Sequence, residues 1–267
     1  MYFFEYLLDT LRILGGLRTG SATVAGTTQQ LTDTTRRGEI DDYWNDGTLW
    51  IITAGGAAPE NEFSLITDFA SGVFTMGALT AAVDSGDRYA ASPGHYPYDV
   101  LMDCVNLAMK QYRYPVTDED SLTVLSRTEY NLPSAIKYGR LKEVYVATTT
   151  TSNDYRWQKV GEWWTIDDGT NEVLILPIDL YDDYPGNKIR LDYEEIHDTD
   201  YTDGDDEVFD WLEPKYVIFR AAEYMILQQM YDGEEWPYLE DRMNYYLAKA
   251  DKYEEEFFEK IKRHRRD

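Results

Sequence analysis

The strongest constraint on the fold of this chain is a heptad repeat near its C-terminal end. Apolar residues recur there at spacings of four, three, four, three and four: Leu239, Met243, Tyr246, Ala250, Tyr253 and Phe257. Side chains at these spacings share one side of an α-helix and favour packing along a second helix at a shallow angle. The repeat is too short for a long coiled-coil array. We therefore expect its partner within the same chain, with a neighbouring copy as the alternative.

The segment before the repeat is a suitable partner. Apolar residues surround most of a predicted helix that begins near Asp210 or Pro214 and runs to about Met230. A helix of this kind is buried on several sides. Gly233 and Pro237 separate it from the heptad helix, so the two together predict an αα-hairpin.

Two shorter helices are predicted nearer the N-terminus. The first carries an apolar stripe that ends at Gly15 and Gly16: Phe4, Leu7, Leu8, Leu11 and Leu14. It resembles a signal peptide only superficially, because acidic residues interrupt the apolar run. The second begins at Pro97 and stops before Pro115. No apolar stretch approaches the roughly 20 residues that span a bilayer, so we expect a soluble protein without a membrane partner.

Short runs with strand character occupy two regions between these helices. The strands expected in the first region are Leu49–Thr53, Glu62–Asp68, Gly72–Met76 and Asp87–Ala91. Those expected in the second are Leu122–Tyr130, Leu141–Thr148, Trp157–Ile166, Val173–Pro177 and Lys188–Ile196. The dipeptide Asp168-Gly169 predicts a tight hairpin turn. The Thr- and Gly-rich stretch from Leu17 to Gly38 has no periodicity, and we expect a loop or an arm.

These elements predict an α+β fold: a helical bundle with a C-terminal αα-hairpin, into which antiparallel β modules are inserted. In this division residues 1–16, 95–120 and 208–262 form the helical core. Residues 48–92 form an inserted β module, residues 121–197 a second β region, and residues 263–267 a basic tail.

The charge of the chain is strongly and unevenly negative. Fifty acidic residues oppose 25 basic ones, for a net charge of −25. Between Arg190 and Lys215 there is no Lys or Arg, whereas ten acidic residues lie from Asp192 to Asp210. So much charge of one sign repels itself and weakens a compact state. A role for the charge at the surface is the simplest reason for keeping it.

Enzymatic signals are weak. The sequence has no glycine-rich phosphate loop, no paired-cysteine metal spacing, no G-x-S-x-G and no H-E-x-x-H. The three histidines, His95, His197 and His264, are scattered along the chain. The single cysteine, Cys104, has no His or cluster of basic residues near it in sequence. Because such neighbours activate a thiol, their absence favours a small, partly buried thiol over a nucleophile. We predict that the protein is not an enzyme and that it has no cofactor and no metal.

A calcium loop remains an alternative for one acidic run. Its members are Asp198, Asp200, Asp203, Gly204 and Asp205, but Thr202 breaks the register that an EF-hand loop requires. A solvated acidic loop is the simpler interpretation.

Three stretches resemble the head-to-tail adaptors, also called connectors or neck rings, of tailed bacteriophages. The second helix of such adaptors is similar to YPYDVLMDCVNLAMKQYRYP, and the strand before their acidic loop is similar to GNKIRLDYEEIH. Their core C-terminal helix is similar to PKYVIFRAAEYMILQQM. The stretch from Asp46 to Ala90 also resembles a β module of virion structural proteins.

The resemblance implies a structural virion protein at the head–tail interface, made in the host cytoplasm. It implies a homo-oligomeric ring of about twelve copies beneath the portal, in contact with other neck or tail proteins. Genomic DNA would pass through without specific binding, because a channel lined with carboxylates repels phosphate. The acidic residues expected at the channel are Asp198, Asp200, Asp203, Asp205, Asp206 and Glu207. The basic residues expected to bind the portal are Lys260, Lys262, Arg263, Arg265 and Arg266.

Two other functions remain open at this point. One is another structural virion protein, such as a tail terminator or a capsid-binding protein. The other is an acidic carbohydrate-active virion enzyme, which an acidic groove with exposed tryptophan would favour.

Overall fold

The computed structural model describes residues 1–55, 60–134, 136, 140–149, 155–167, 172–202, 206–208, 212–231 and 238–264, without the side chains of Tyr231 and residues 258–264. The chain divides into two compact units. Unit 1 comprises Met1–Tyr112 and Asp198–Asp267, and unit 2 comprises Arg113–His197.

The described residues form five α-helices: α1 (Phe3–Leu14), α2 (Tyr98–Gln111), α3 (Asp179–Asp183), α4 (Pro214–Tyr231) and α5 (Leu239–His264). They also form fourteen β-strands: β1 (Arg18–Ser21), β2 (Val24–Thr27), β3 (Gln30–Thr32), β4 (Thr48–Thr53), β5 (Phe63–Ala70), β6 (Val73–Met76), β7 (Arg88–Ser92), β8 (Arg113–Thr123), β9 (Glu129–Asn131), β10 (Leu141–Ala147), β11 (Trp157–Lys159), β12 (Trp164–Asp167), β13 (Glu172–Ile175) and β14 (Lys188–Ile196).

The predicted fold class is wrong. The structure is mainly β, with its strands in three antiparallel sheets, and only 31% of it is helical. A helical bundle with small β insertions is therefore not its architecture. The main physical reason is that several strands are short and made of Thr, Gly and polar residues, which leave no alternation in the sequence and become strands only through their neighbours.

Unit 1 contains a seven-stranded antiparallel sheet in the order β1-β7-β4-β5-β6-β3-β2. The predicted loop from Leu17 to Gly38 is in fact three of its strands and a 3-10 turn. Aromatic residues fill much of the core beneath the sheet. Trp44 packs against Phe69 and Phe74 with ring centroids 6.4 and 6.0 Å apart.

Four helices complete unit 1, and α4 contacts the other three, α1, α2 and α5. Val217, Ala221 and Ile226 on α4 are fully buried. The heptad face of α5 lies against α4, where the rings of Phe219 and Tyr253 stack at 5.5 Å. The helices predicted from periodicity are thus confirmed as elements of the fold.

Unit 2 contains two antiparallel sheets, β11-β10-β14-β8 and β12-β13-β9. Side chains from both form one apolar cluster, in which Val144, Leu174 and Leu191 are completely buried. Strand β14 agrees with its predicted limits. The strand predicted at Leu122–Tyr130 is wrong, because β8 ends at Thr123 and β9 begins at Glu129.

Two other predictions concern the strand and the hairpin turn in the middle of unit 2. The strand predicted at Trp157–Ile166 divides into β11 and β12. The hairpin turn predicted at Asp168-Gly169 lies outside the described residues.

Candidate functional site

The acidic residues that follow β14 lie on a segment held against the helices of unit 1. Tyr201 is buried, and its ring lies 5.3 Å from that of Phe3. The side chain of Asn106 on α2 accepts a hydrogen bond from the Tyr201 backbone N–H and donates one to its carbonyl, both 2.9 Å long. These two bonds satisfy the Tyr201 backbone and fix the segment on α2.

A second set of backbone bonds holds the segment further along. The Phe3 N–H donates to the carbonyl of Asp206 at 2.9 Å, and the Val208 N–H donates to the carbonyl of Met1 at 3.1 Å. Tyr2 and Glu207 form an antiparallel bridge between these two bonds. The residues before α1 therefore pair with the acidic segment through their main chain.

This arrangement leaves an acidic ridge on the surface of unit 1, which we define as Asp198, Asp200, Asp206 and Glu207. Asp198, Asp200 and Glu207 are exposed, and Asp206 is partly buried. Lys110 Nζ lies 2.6 Å from Asp200 Oδ1, but both side chains are well exposed to water. An exposed pair contributes about 0–1 kcal/mol, so the ridge keeps most of its negative field.

The first part of the predicted acidic stretch has a different environment. Asp192 and Glu194 lie on β14 in unit 2. Arg190 donates two hydrogen bonds of 2.9 Å to the Asp192 carboxylate. Glu194 lies 3.2 Å from Arg113 and 3.1 Å from Lys142. Asp192 is thus compensated by a cation of its own strand and Glu194 by cations of the two neighbouring strands, β8 and β10.

The other predicted site residues are described only in part. Asp203, Asp205, Arg265 and Arg266 lie outside the described residues. The backbones of Lys260, Lys262 and Arg263 belong to the last turns of α5, while their side chains are not described. Their predicted contact with a portal therefore stays a prediction.

A buried polar network joins the stretch that was predicted to be a loop or an arm to β7. The Arg36 guanidinium donates to the Tyr89 hydroxyl, to Glu39 Oε1 at 2.8 Å and to the carbonyl of Thr19 at 3.0 Å. The Tyr89 hydroxyl in turn donates to Asp33 Oδ2 at 2.8 Å. Such a network is invisible in the sequence, because Asp33 and Tyr89 are 56 residues apart.

The network shifts the protonation of its members. Burial raises the pKa of Asp33, but hydrogen bonds from Thr35 and Tyr89 and the charge of Arg36 outweigh burial and lower it. Burial is also the main cause that raises the pKa of Tyr89, and its hydrogen bond to Asp33 acts in the same direction. Asp33 is therefore ionised and Tyr89 neutral near pH 7.

A second feature that the sequence did not reveal is an apolar groove between α2 and α4, with a volume of about 800 Å³. Leu107, Leu227 and Met230 line it and are 45%, 48% and 39% exposed. The apolar circumference of α4 predicted burial on several sides, but burial is incomplete at this groove. Cys104 lies at its floor and is itself buried, in agreement with the prediction.

The Cys104 thiol is chemically quiet. Burial raises its pKa to about 12, and the nearby Asp103 carboxylate acts in the same direction. A thiol with so high a pKa carries almost no thiolate near neutral pH, so it is a poor nucleophile.

Metal-binding clusters and membrane-spanning helices are both absent from the described residues. They contain no group of three or more His, Cys, Asp and Glu side chains placed to hold a metal ion. Within the same residues, no helix combines the length and apolar character needed to cross a bilayer. No protein-family model matches the chain, and no curated protein matches its sequence.

Proposed function

We propose that this protein is a structural subunit of the ring that joins the head of a tailed bacteriophage to its tail and that it lines the path of the DNA. The observation that carries the proposal is the acidic ridge. Its backbone is held by hydrogen bonds to α2 and to the first three residues of the chain, while the side chains of Asp198, Asp200 and Glu207 are exposed to water.

The physical role of the ridge follows from the charge of DNA. Duplex DNA carries one phosphate charge per about 1.7 Å of its axis, and proteins bind it non-specifically by neutralising those charges. Carboxylates on a fixed backbone place further negative charge beside the phosphates instead of neutralising them. They repel phosphate over a distance of about 8 Å at physiological ionic strength, and closure into a ring repeats the effect around the channel.

The opposite charge at the end of α5 fits a protein partner. The sequence from Lys260 to Arg266 has five basic residues, whereas the chain as a whole has a net charge of −25. In the proposed ring these residues contact the portal. Such contacts are weak individually and gain strength through repetition around the ring.

A charge-neutralising variant tests the role of the ridge. Asp198→Asn, Asp200→Asn and Glu207→Gln together remove three exposed charges. We expect this variant to bind short duplex DNA more tightly than the parent at low salt, in a fluorescence anisotropy titration. The expected binding weakens as salt is added.

The matched control removes three exposed carboxylates elsewhere in unit 1: Asp68→Asn, Asp84→Asn and Glu255→Gln. Both variants lose the same net charge, so a difference between them reports on position. Equal DNA binding by the two variants would contradict a special role for the ridge.

Assembly is tested separately by electron microscopy of the full chain mixed with portal rings from the same phage genome. We expect a ring of this protein docked on one face of the portal. A ring that docks on tail tubes and leaves portals free would identify a tail terminator instead. Absence of both complexes would contradict a place at the head–tail junction.

A further inference from the structure

The groove between α2 and α4 has the shape and chemistry of a site for a helix. Val100, Cys104 and Leu107 follow one another along α2 at spacings of four and three residues. Tyr224 and Leu227 face them from α4. Two apolar rows of this kind form the walls of sites that accept an amphipathic helix through residues one turn apart.

The rim of the groove has a defined charge. Asp103 lines the groove, and Asp99 lies one turn before it on the exposed face of α2. Within the described part of the chain, no Lys or Arg lines the groove. An occupant with apolar residues at its centre and basic residues at its flanks would therefore complement it.

The chain itself contains a segment with this composition. Residues 258–266 read FEKIKRHRR, in which Phe258 and Ile261 are one helical turn apart among five Lys and Arg residues. The helix α5 continues to His264, seven residues beyond Phe257, which contacts Tyr112. The backbone of these last residues extends α5 by about 10 Å.

This segment cannot reach the groove of its own subunit as a continuous helix. Tyr253 of α5 lies at the start of α4, where Lys215 Nζ is 5.1 Å from its ring centroid. The groove lies near Leu227, twelve residues or about 18 Å further along α4. Because α5 runs past Pro214 in the opposite direction, its end points away from the groove.

We propose that the groove binds residues 258–266 of a second copy of this chain. Phe258 and Ile261 enter between α2 and α4, and the flanking basic side chains meet Asp99 and Asp103. The two surfaces in this contact differ, so a pair of copies still has a free groove on one copy and a free tail on the other. Contacts of this kind form rings when the rotation closes and open filaments when it does not.

The contact needs neither DNA nor a portal, so it can be tested separately from the proposed function. A tail bound in a neighbouring groove is not free to contact the portal. If both contacts exist, portal binding and self-association therefore compete for the same residues.

Complementary variants provide the sharpest test. The groove variant is Leu227→Lys, which removes an apolar contact and adds a repelling charge at a position that is 48% exposed. The tail variant changes Lys260, Lys262, Arg263, Arg265 and Arg266 to Ser. In sedimentation velocity we expect the parent to associate as its concentration rises, and each variant alone to stay monomeric.

An equimolar mixture of the two variants distinguishes this contact from others. The tail variant keeps an intact groove and the groove variant keeps an intact tail, so one contact can form. We expect a complex of one copy of each and nothing larger. A mixture that stays monomeric while the parent associates would show that a different surface is responsible. A parent that stays monomeric up to about 1 mM would also overturn the proposal, because a useful contact binds more tightly than this.

A peptide measures the same contact directly. A labelled peptide of residues 254–267 should bind the full-length tail variant, and the additional change Leu227→Lys should weaken binding at least about tenfold. Leu125→Lys is the control, since Leu125 is 43% exposed and lies in unit 2. It should change the affinity less than about twofold. Equal effects of the two substitutions would mean that the peptide binds by charge alone.

Discussion

Replacing Arg36 with Met tests whether the buried polar network stabilises unit 1. The Arg36 side chain is 10% exposed and that of Asp33 is 2% exposed. The substitution removes the hydrogen bonds of the guanidinium to Tyr89, Glu39 and Thr19. It keeps a stem of similar size beside Trp44, whose ring lies 5.3 Å from the guanidinium carbon.

The magnitude follows from the carboxylate that is left behind. Removing one partner of a buried ion pair costs about 3–5 kcal/mol, because the other charge remains without compensation. Here Asp33 keeps hydrogen bonds from Thr35 and from the Tyr89 hydroxyl at 2.6–3.0 Å. Those bonds partly compensate the charge of the carboxylate. We therefore expect a loss of stability at the lower end of this range, about 3 kcal/mol.

The measurement is the free energy of opening of amides in β4 and β5, obtained by hydrogen exchange, because these strands belong to unit 1 alone. Arg37→Met is the control, since Arg37 is adjacent in sequence but exposed. We expect the free energy of opening to fall by about 3 kcal/mol in Arg36→Met and by less than about 0.5 kcal/mol in Arg37→Met.

A second substitution identifies the cause of the loss. If the stranded carboxylate is responsible, Asp33→Asn should recover part of the stability in the Arg36→Met background and should destabilise the parent. Similar values for Arg36→Met and Arg37→Met, or no recovery with Asp33→Asn, would refute the reasoning.

Three further predictions address pH, packing and the ridge. The pKa of Asp33 is lower in the folded state, so its stabilisation is complete above its unfolded value of about 3.9 and is lost as the pH falls. In an acid titration, the parent should be more stable than Asp33→Asn by a constant amount above about pH 4, and this difference should shrink below that pH. On α4, Ile226→Ala should cost about 2–5 kcal/mol and Leu227→Ala much less in urea unfolding, because only Ile226 is fully buried. Asn106→Ala should cost about 1–3 kcal/mol and speed hydrogen exchange at the Tyr201 amide; unchanged exchange there would contradict its role in holding the ridge.

The long helices could be predicted because the apolar pattern of a helix is contained in one continuous stretch of sequence. The helices α1, α2 and α5 have enough turns for an apolar stripe to be recognised, and α4 is recognised by apolar residues around most of its circumference. Their ends are marked locally, as at Gly15, which follows α1 with a φ of 76° that glycine adopts without strain. For these elements local preference and tertiary packing agree.

Strands whose stability comes from their neighbours could not be predicted. β1 consists of Arg, Thr, Gly and Ser and is a strand because it pairs with β7 along its whole length. β8 contains Pro115 and three consecutive acidic residues, yet it pairs with β14 over most of its eleven residues. Cross-strand contacts override weak intrinsic preference in both cases.

The candidate site was predicted in part, and the limit has the same physical origin. Sequence identifies the acidic stretch but not which carboxylates meet a cation from another strand. Glu194 does so because the sheet places Arg113 and Lys142 beside it, whereas Asp192 pairs with Arg190 of its own strand. The groove was missed because an apolar helix surface looks the same in sequence whether or not another element covers it.

The two parts of the acidic stretch also differ in how far the fold depends on their charges. On β14 the carboxylates accept hydrogen bonds from cations of the same sheet, so neutralising them would leave those cations without partners. In the ridge, backbone bonds and the buried rings of Tyr201 and Phe3 hold the chain, and the exposed carboxylates contribute little to it. Like charges on one surface repel each other, so neutralising Asp198 or Glu207 should leave stability unchanged or raise it slightly. Folding does not require these charges, which agrees with the role proposed for the ridge, the repulsion of a polyanion that passes along it.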